Sequence, residues 1–481
     1  MTESVAISAW ALVILAALAA WALWDHLIGP AWRWFMTRTA NQVIDELSTR
    51  LRIGIRPWQR TRRQALIDRL ITDPKVHAAA ELHARENKVS EPAALRIVER
   101  YAREIVPAFN AYFYFRVGCW LARMVAQSMY RVRLGYIDSE GLSRVDSNAT
   151  VVFVMNHRSN MDYVLAAYLA AEQTSLSYAV GEWAQIWPLS TLIRSMGAYF
   201  VRRQSRNELY RRVLERYVAM ATEAGVPQAV FPEGGLTRDG LMREPKLGVL
   251  DYMMRGFRSD KGRDLVFVPL ALNYDRVLED RTLLLSIDPD AKRPGRARAL
   301  WNTLAFAGRN LRLMLQSEWH RFGYACVNFG TPVSMRRYSA DYGLDFHRLG
   351  GDDRRRAMAK LGAHLMGAVG RIVPVVPVPL IATVFTADSA PISELELKAR
   401  VEKLLEQLDR AGAHTYLPRR DLDYALTVGL RMLTMRRLVE ERDGLYIARQ
   451  AELRVLRYYA NSIAHLLPAL PAAGTHVPSP T

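Results

Sequence analysis

The 481-residue chain has little cysteine and little lysine, and each shortage limits what the protein can be. Two cysteines, Cys119 and Cys326, are too few for a disulfide framework, and their apolar surroundings indicate buried thiols in a reducing compartment. Only eight of the 65 basic residues are lysines, so arginine carries most of a net charge of +17. Such a charge suits nucleic acid, an anionic membrane face or a phosphorylated substrate, and by itself it does not choose among them.

Several binding motifs are also missing. The sequence has no zinc-finger spacing, no RNA-binding aromatic signature and no dense basic arm, so we expect no nucleic-acid partner. No cluster of metal ligands is visible, and we predict neither a metal nor a cofactor. With 50% hydrophobic and 23% charged residues, the chain is typical of a globular protein of about two to three domains. This composition excludes a mainly disordered chain and a polytopic membrane protein.

Residues 1–28 predict a single transmembrane anchor. Val5–Trp24 is an apolar run in which Ser8 is the only clearly polar side chain, and a helix of that length spans a bilayer core of about 30 Å. Bases follow this run but none precedes it, so the N-terminus is expected outside and the active part in the cytoplasm, at the inner (cytoplasmic) membrane. The alternatives are a cleaved signal peptide, which Glu3 and the missing N-terminal base disfavour, and a buried core helix. The basic remainder would be attracted to an anionic membrane surface.

The hydrophobic pattern changes twice along the rest of the chain. Residues 29–140 have helical spacing and predict a helical N-terminal layer, interrupted at Pro107. In residues 141–390, short β-rich runs alternate with helical segments, which is typical of a layered α/β domain. The expected strands are Val151–Val154, Ala198–Val201, Ala229–Phe231, Val266–Val268 and Tyr324–Val327.

The C-terminal part is again helical in pattern. Ile372–Phe385 is strongly apolar but contains three prolines, so we expect a packed or interfacial segment rather than a membrane span. Residues 391–467 predict C-terminal helices over Glu394–Leu408, Tyr424–Val439 and Ala451–Leu467. Residues 468–481 are small and proline-rich and predict a disordered tail.

A histidine followed five positions later by aspartate occurs twice, as His157/Asp162 and His347/Asp352. His347 lies in a charged insertion with several glycines, where we expect a solvated loop. His157 lies between an expected strand and an expected helix, at the kind of strand end where ligand sites gather in α/β domains. There Asp162 could orient the imidazole, which could take a proton from a hydroxyl. The alternative for Asp162 is a helix cap, because Ser159-x-x-Asp162 is also a capping-box pattern.

Three further blocks end expected strands of the same domain. Gly197–Arg203 ends in two arginines, Phe231–Arg238 holds a carboxylate, paired glycines and a base, and Val266–Val277 is a buried strand with a polar end. Paired glycines let backbone N–H groups approach an oxyanion or phosphate, and the fork of arginine fits phosphate. Each arginine alone is more often a surface charge. Four strand-end blocks in this order favour a binding site.

These blocks resemble the four motifs of the glycerolipid acyltransferases: His-x4-Asp, Gly-x-x-Phe-x-Arg-Arg, Phe-Pro-Glu-Gly and a proline-bearing strand. Arg158, Ser159 and Tyr163 are similar to the membrane-bound branch that acts on glycerol 3-phosphate and dihydroxyacetone phosphate. The runs Val327–Val333 and Tyr458–Ile463 also resemble that branch. The resemblance covers roughly residues 101–467.

The resemblance implies an α/β acyltransferase that moves a fatty acyl group from an acyl-CoA or acyl carrier protein thioester to a phosphorylated glycerol. It implies His157 as general base, Asp162 as its orienting partner and the motif arginines as phosphate ligands. On geometry, backbone N–H groups near Gly234 and Gly235 are the candidates to hold the oxyanion. The expected substrate-binding residues are Arg158, Ser159, Arg202, Arg203, Glu233, Gly234, Gly235, Arg238, Lys246 and Pro269.

The sequence departs from the family pattern at two places. Leu236 stands where the family usually has arginine, and we expect Arg238 to make the phosphate contact instead. The fourth block ends in Asn273-Tyr274-Asp275 where Gly-Tyr-Glu is more usual. The alternatives are therefore a lysophospholipid or dihydroxyacetone-phosphate acyltransferase, or a non-catalytic lipid-binding protein that kept the fold.

Overall fold

The computed structural model shows a mixed α/β protein built on an eight-stranded sheet. It describes residues 56–170, 175–181, 189–202, 205, 207–288, 322–388 and 390–467. The predicted anchor (1–28), the predicted tail (468–481) and Arg203 lie outside these ranges. None of the helices in the described part is both long enough and apolar enough to span a bilayer.

Helices come first in the described chain. They are α1 (Pro57–Arg60), α2 (Arg63–Ile71), α3 (Pro74–Asn87), α4 (Glu91–Ile105), a π-helical turn (Phe113–Gly118) and α5 (Cys119–Met129). The predicted break near Pro107 is confirmed, because α4 ends at Ile105 and Val106 is extended, as a residue close before proline tends to be. Buried residues at helical spacing, such as Val98, Tyr101 and Ile105, turn one face of α4 inward.

The strands of the sheet are β1 (Arg131–Ile137), β2 (Thr150–Met155), β3 (Ser177–Gly181), β4 (Tyr199–Val201), β5 (Gln228–Val230), β6 (Leu265–Tyr274), β7 (Tyr324–Phe329) and β8 (Val333–Ser334). Their order is β1-β7-β6-β2-β5-β3-β4, and β8 pairs with β6. From β6 to β4 all neighbours are parallel, while β7 and β8 run antiparallel to β6. All five expected strands are present. The sequence analysis missed β1, β3 and β8, and β1 is a mostly exposed edge strand without a buried face.

Between and after the strands lie α6 (Ser139–Ser143), α7 (Met161–Ala170), α8 (Leu189–Ser195), α9 (Glu208–Glu223), α10 (Gly248–Arg255), α11 (Asp280–Leu285), α12 (Met335–Asp341), α13 (Gly351–Arg371) and α14 (Pro377–Ala387). The sheet is covered on both faces. Val152 and Val154 pack into one core with α2–α4, α9, α10 and α13, whereas Val151 and Phe153 pack into another with α7 and α14. Alternate residues of one strand thus serve opposite faces, as parallel strands with two covered faces require.

The C-terminal part consists of β9 (Ile392–Ser393), α15 (Glu394–Arg410), α16 (Leu422–Met435), β10 (Val439–Arg442), β11 (Leu445–Ala448) and α17 (Leu453–Asn461). The prediction of one helix to Val439 was wrong. Asp443 and Gly444 both have positive φ and form the turn of the β10–β11 hairpin, which the Asp-Gly pair favours. The helix predicted over Ala451–Leu467 is α-helical only over α17, Leu453–Asn461. The apolar segment before these elements is confirmed as packed, since α14 is buried along Pro377–Phe385.

Pro269 lies inside β6, a position that proline usually avoids because it lacks an N–H donor. On the antiparallel side, β7 pairs with residues 270–274 of β6 and β8 with 266–267, so Pro269 faces the turn between them. Its carbonyl accepts a hydrogen bond of 2.8 Å from the N–H of Gly330 in that turn. Pro269 is therefore a buried residue of the sheet, with a structural role in β6.

Candidate active site

The loop between β2 and α7 brings His157 and Asp162 into contact. Both side chains are almost completely buried, and His157 Nδ1 lies 2.9 Å from Asp162 Oδ2. Because a carboxylate only accepts, this contact assigns the proton to Nδ1 and leaves Nε2 as an acceptor. The imidazole stacks on Phe231, with 4.1 Å between ring centres, and meets the edge of Tyr163. The ring is thus held in one orientation.

Asp162 holds the loop as well as the histidine. Its Oδ2 also accepts from the backbone N–H groups of Arg158 and Ser159, at 2.7 and 3.0 Å. Ser159 Oγ accepts from Met161 N–H at 3.1 Å, while Asp162 N–H donates to the Ser159 carbonyl, so the two side chains cap the start of α7 without the full reciprocal capping box. The two alternatives for Asp162 therefore coexist in one side chain.

The second oxygen of Asp162 accepts from a tyrosine that the sequence analysis noted only as part of the Asn273-Tyr274-Asp275 ending of the fourth block. Tyr274 ends β6 and its hydroxyl lies 2.5 Å from Asp162 Oδ1. Burial, reinforced by the charge of Asp162, raises the pKa of Tyr274 well above its ordinary value, so the phenol stays a donor. Nothing in the local sequence pairs these residues, which lie 112 positions apart.

Glu233 follows β5 and contacts the histidine loop from the neighbouring strand end. Its Oε1 accepts from His157 N–H at 2.9 Å, and Thr237 N–H donates to the His157 carbonyl at 3.0 Å. Burial raises the pKa of Glu233 to about 7, opposed by the positive charge of Arg158. Within the described part of the chain, Glu233 Oε2 is buried without a hydrogen-bond partner.

A cavity of about 460 Å³ opens beside this loop. Tyr163 and Phe231, which contact the imidazole, form part of its wall, together with apolar residues of β3, β4 and β5. Three cations also line it: Arg202, Lys246 and Arg211. A cavity with an apolar wall and several cations suits a ligand that is both apolar and anionic.

The three cations differ in what they contact. Arg202 is bound by Glu104 through two hydrogen bonds of 2.8 and 2.5 Å, which neutralises part of its charge. Arg211 donates to the Ser205 carbonyl at 2.9 Å, and Lys246 is exposed at the opening. Among the described residues, neither Arg211 nor Lys246 forms an ion pair with a carboxylate. Arg211 was missed because it lies inside α9, away from the strand ends on which the motif search concentrated.

Gly234 makes the turn that brings Lys246 to the cavity. Its φ is +68°, and a Cβ there would lie 2.6 Å from Lys246 Cδ, so the position requires glycine. The Gly234 N–H donates to the Phe231 carbonyl at 3.0 Å. The Gly234 N–H is therefore occupied within the turn. Of the two glycines, only Gly235 remains a candidate for donating its N–H to an oxyanion.

Six of the predicted substrate-binding residues in the described ranges are not in the cavity wall: Arg158, Ser159, Glu233, Gly235, Arg238 and Pro269. Arg158 and Ser159 belong to the histidine loop itself and are buried, and Ser159 Oγ donates to Glu279 at 2.8 Å. Pro269 is part of the sheet, and Arg238 is exposed in the turn after Thr237. Glu279, which also accepts from Asn160 N–H at 3.2 Å, is a support for the loop that the sequence analysis did not identify.

The second histidine has a different environment, as expected. His347 is exposed in a turn, and Asp352 is exposed in the first turn of α13. The expected loop is shorter than predicted, because α12 and the start of α13 take up most of the insertion. Elsewhere on the described surface, His77, Glu81 and Glu91 are close enough to share a metal ion, but they lie on α3 and α4 and are partly exposed.

Comparisons with known proteins identify two matching regions. A family model described as Acyltransferase matches residues 136–273, and one described as Glycerol-3-phosphate acyltransferase C-terminal region matches residues 311–475. The first covers the last two residues of β1, the histidine loop, the Glu233 turn and β6 up to Asn273. The second covers β7 to α17.

Curated relatives include a glycerol-3-phosphate acyltransferase of Ectopseudomonas mendocina, 29% identical over 428 residues, which are 85% of this chain and 49% of the relative. A glycerol-3-phosphate acyltransferase of Pseudomonas paraeruginosa is 27% identical over 461 residues, 90% of this chain and 52% of the relative. The chain thus spans about half the length of the curated relatives it matches.

A solved structure, the 1-acyl-sn-glycerophosphate (LPA) acyltransferase PlsC from Thermotoga maritima, is 16% identical, with a TM-score of 0.29 over 52% of this chain and 80% of that chain. That overlap is too low to bear on the fold. The two family models and the relatives over most of the chain agree with the motifs at the strand ends: the chain contains a region that matches the Acyltransferase family model, followed by one that matches the Glycerol-3-phosphate acyltransferase C-terminal region.

Proposed function

We propose that this protein transfers a fatty acyl group from a thioester to a hydroxyl of glycerol 3-phosphate, as a step in phospholipid synthesis. The observation that carries the proposal is the buried His157–Asp162 pair at the carboxyl end of β2, beside a cavity with three cations in its wall. The glycerol-3-phosphate acyltransferases among the relatives support glycerol 3-phosphate as the acceptor.

The reaction uses His157 as general base. Nε2 takes the proton of the acceptor hydroxyl while its oxygen attacks the thioester carbonyl carbon. The tetrahedral intermediate then expels the thiolate, which receives the proton from the imidazolium. Asp162 holds the imidazole through Nδ1 and stabilises the positive charge that forms on it. A backbone N–H near Gly235 is the candidate donor to the oxyanion.

The phosphate of the acceptor is bound by the cavity cations. Lys246 and Arg211 offer charges that no carboxylate in the described chain neutralises, and Arg202 adds a charge partly offset by Glu104. These three residues take the role of the arginine that the family usually has at the position of Leu236. Arg203, which lies outside the described residues, stays a predicted member of this set.

The donor is proposed to be an acyl-CoA or an acyl carrier protein thioester. The acceptor alternatives are lysophosphatidate and dihydroxyacetone phosphate, and Leu236 keeps a non-catalytic lipid-binding protein as a further alternative. The direct attack proposed here forms no covalent acyl-enzyme, and the motif blocks offer no cysteine or serine elbow that would act as a nucleophile.

We also propose that the protein is held at the cytoplasmic membrane. The apolar run Val5–Trp24 would anchor it with the active part in the cytoplasm, and the net charge of +17 would add attraction to anionic headgroups. The segments 29–140, 141–390 and 391–467 remain proposed domains. The sheet already begins at Arg131, before the proposed border at residue 141.

One assay tests the proposal. Purified full-length protein is given a radiolabelled acyl-CoA or acyl carrier protein donor and, in parallel, glycerol 3-phosphate, dihydroxyacetone phosphate or lysophosphatidate. Acyl transfer to glycerol 3-phosphate with the highest kcat/KM is expected. A preference for lysophosphatidate would reassign the acceptor, and no transfer to any of them would support the non-catalytic alternative.

A further inference from the structure

A buried arginine next to the histidine contacts backbone carbonyls instead of the cavity. Arg158 is 2% exposed, and its guanidinium donates to the carbonyl of Gly240 and, at 3.0 Å, to that of Ser462. Among the described residues no carboxylate lies within ion-pair distance of it. A buried cation without an ionic partner is costly unless its donors are used, and here two of them bridge separate parts of the chain.

The bridge reaches a turn 304 residues away, directly after α17. Next to it, Asn461 Nδ2 donates to the Asp239 carbonyl at 2.9 Å. The Asn273 side chain, near the end of β6, donates to Ser462 Oγ at 3.1 Å. The end of α17 therefore contacts the histidine loop, the turn after Glu233 and the end of β6.

The approach of α17 to that turn is very close. Gly240 has a φ of +87°, and a Cβ on it would lie 1.9 Å from the Tyr458 carbonyl oxygen, so no other residue fits without moving the helix. Tyr458 and Tyr459 are each about 1% exposed. The contact between α17 and the turn is thus a packed part of the fold.

We infer that Arg158 is a positioning residue, which fixes the His157 loop and the 237–241 turn against α17, and that the C-terminal turn is therefore part of the catalytic machinery. The inference rests on the proposed acyl transfer for its effect on rate. Arg158 contributes to the loop twice, because its backbone N–H donates to Asp162 while its side chain reaches Gly240 and Ser462. A shift of Arg158 would consequently move the carboxylate that orients the histidine.

Lysine tests this role, since an ammonium keeps the charge but lacks the planar fork that reaches two carbonyls. Arg158→Lys is compared with the wild type in the acyl-transfer assay. A catalytic group misplaced by about 1 Å can cost on the order of 100-fold in rate. We expect kcat to fall roughly 10- to 100-fold, with the KM for glycerol 3-phosphate almost unchanged. Asn461→Ala, which removes only the contact to Asp239, should lower kcat in the same sense but less.

The matched control is Arg216→Lys. Arg216 is also largely buried and donates twice to Asp73, but it joins α9 to the N-terminus of α3, away from the histidine loop. Its kcat should equal that of the wild type. A rise in acceptor KM with unchanged kcat in Arg158→Lys would make Arg158 a phosphate ligand, and equal behaviour of the two lysine variants would make it a space-filling residue. Either result overturns the inference.

Amide hydrogen exchange measures the same positioning without activity. In Arg158→Lys and in Asn461→Ala, the amides of Ser159 and Thr237 should exchange faster than in the wild type and in Arg216→Lys. If the wild type transfers no acyl group, the proposed function fails and exchange alone decides the positioning role. If Arg158→Lys does not fold, Asn461→Ala decides it by both measurements. Unchanged exchange at both loops would overturn the inference.

Discussion

At the scale of the residue, burial separates two histidines that have the same spacing to aspartate. His157 is enclosed by Phe231, Tyr163 and Asp162, whereas His347 is exposed in a turn. An enclosed imidazole with one nitrogen bound to a carboxylate has a defined tautomer and direction, and an exposed one has neither. The pair thus provides an internal comparison for the proposed base.

We expect His157→Gln to lower kcat by about 10²- to 10⁴-fold, the usual contribution of a general base. Glutamine is preferred to alanine because the ring packs on Phe231, and its loss would leave a cavity. His347→Gln, the matched control, should leave kcat unchanged. Steady-state kinetics of both variants, with melting temperatures, check this. Near-normal turnover in His157→Gln would refute the role of the base.

Asp162→Asn separates the two functions that this side chain combines. Asparagine keeps one oxygen to accept from the N–H groups of Arg158 and Ser159, so most of the cap should survive. It lacks the charge that stabilises the imidazolium, so kcat should fall strongly, on the order of 10²-fold or more. Kinetics and circular dichroism together test this. Full activity in the folded variant would mean that Asp162 is only a cap.

Glu233 should make stability depend on pH. Its folded pKa of about 7 lies above the ordinary 4.5, so the folded protein binds more protons between these values and its free energy of unfolding decreases as pH rises. The stabilisation is complete below pH 4.5 and lost through pH 7. Relative to Glu233→Gln, the wild type should lose on the order of 3 kcal/mol between pH 5 and pH 8. Urea unfolding at both pH values measures this, and parallel pH dependences would contradict it.

At the scale of the element, parallel strands place separate loops side by side. The carboxyl ends of β6, β2 and β5 are neighbours, so Tyr274, His157 and Glu233 meet although they lie far apart in sequence. The same edge carries Arg202 after β4, and α9 and the loop before α10 add Arg211 and Lys246. The order of strands thus assembles the site.

Lys246→Ala should raise the acceptor KM much more than the donor KM. Losing one charged ligand of a partly buried phosphate costs on the order of 2 kcal/mol, or roughly 30-fold in KM. Arg238→Ala is the control that also tests our expectation from the sequence: Arg238 is exposed and absent from the cavity wall, so a smaller effect is expected. Kinetics with both substrates varied decide this. A larger effect at Arg238 would restore it as the phosphate ligand.

At the scale of the whole molecule, an arginine-rich charge and an apolar N-terminal run predict two membrane contacts of different kinds. An apolar helix holds by burial of hydrocarbon and is insensitive to salt, whereas a basic surface is attracted to anionic headgroups and is screened. Because the net charge of +17 does not depend on the apolar run, the electrostatic contact can be measured separately, in a protein without that run.

Deletion of residues 1–28 should leave a protein that binds vesicles containing phosphatidylserine at low salt and releases them at high salt. Neutral phosphatidylcholine vesicles are the control and should not bind it. Co-sedimentation over a salt series measures both. A truncated protein that ignores acidic vesicles at every salt concentration would contradict the electrostatic contact.

The sequence by itself determined the features that depend on short stretches of chain. Hydrophobic runs predicted the five strands, Pro107 predicted the end of α4, and a separation of only five positions brought His157 to Asp162. Local spacing suffices there because the backbone of a turn has few conformations. The hairpin at Asp443-Gly444 was equally local and could have been predicted.

Only the tertiary structure decided which distant groups surround that loop. Arg158 resembled a phosphate ligand in the motif, but its guanidinium bonds to Ser462 on the C-terminal turn, and Tyr274 donates to Asp162 from another strand. Arg211 lies in a helix with no motif and still faces the cavity. Such contacts follow from the order of the strands and the packing of helices, which bring together residues more than a hundred positions apart, and no local pattern encodes them.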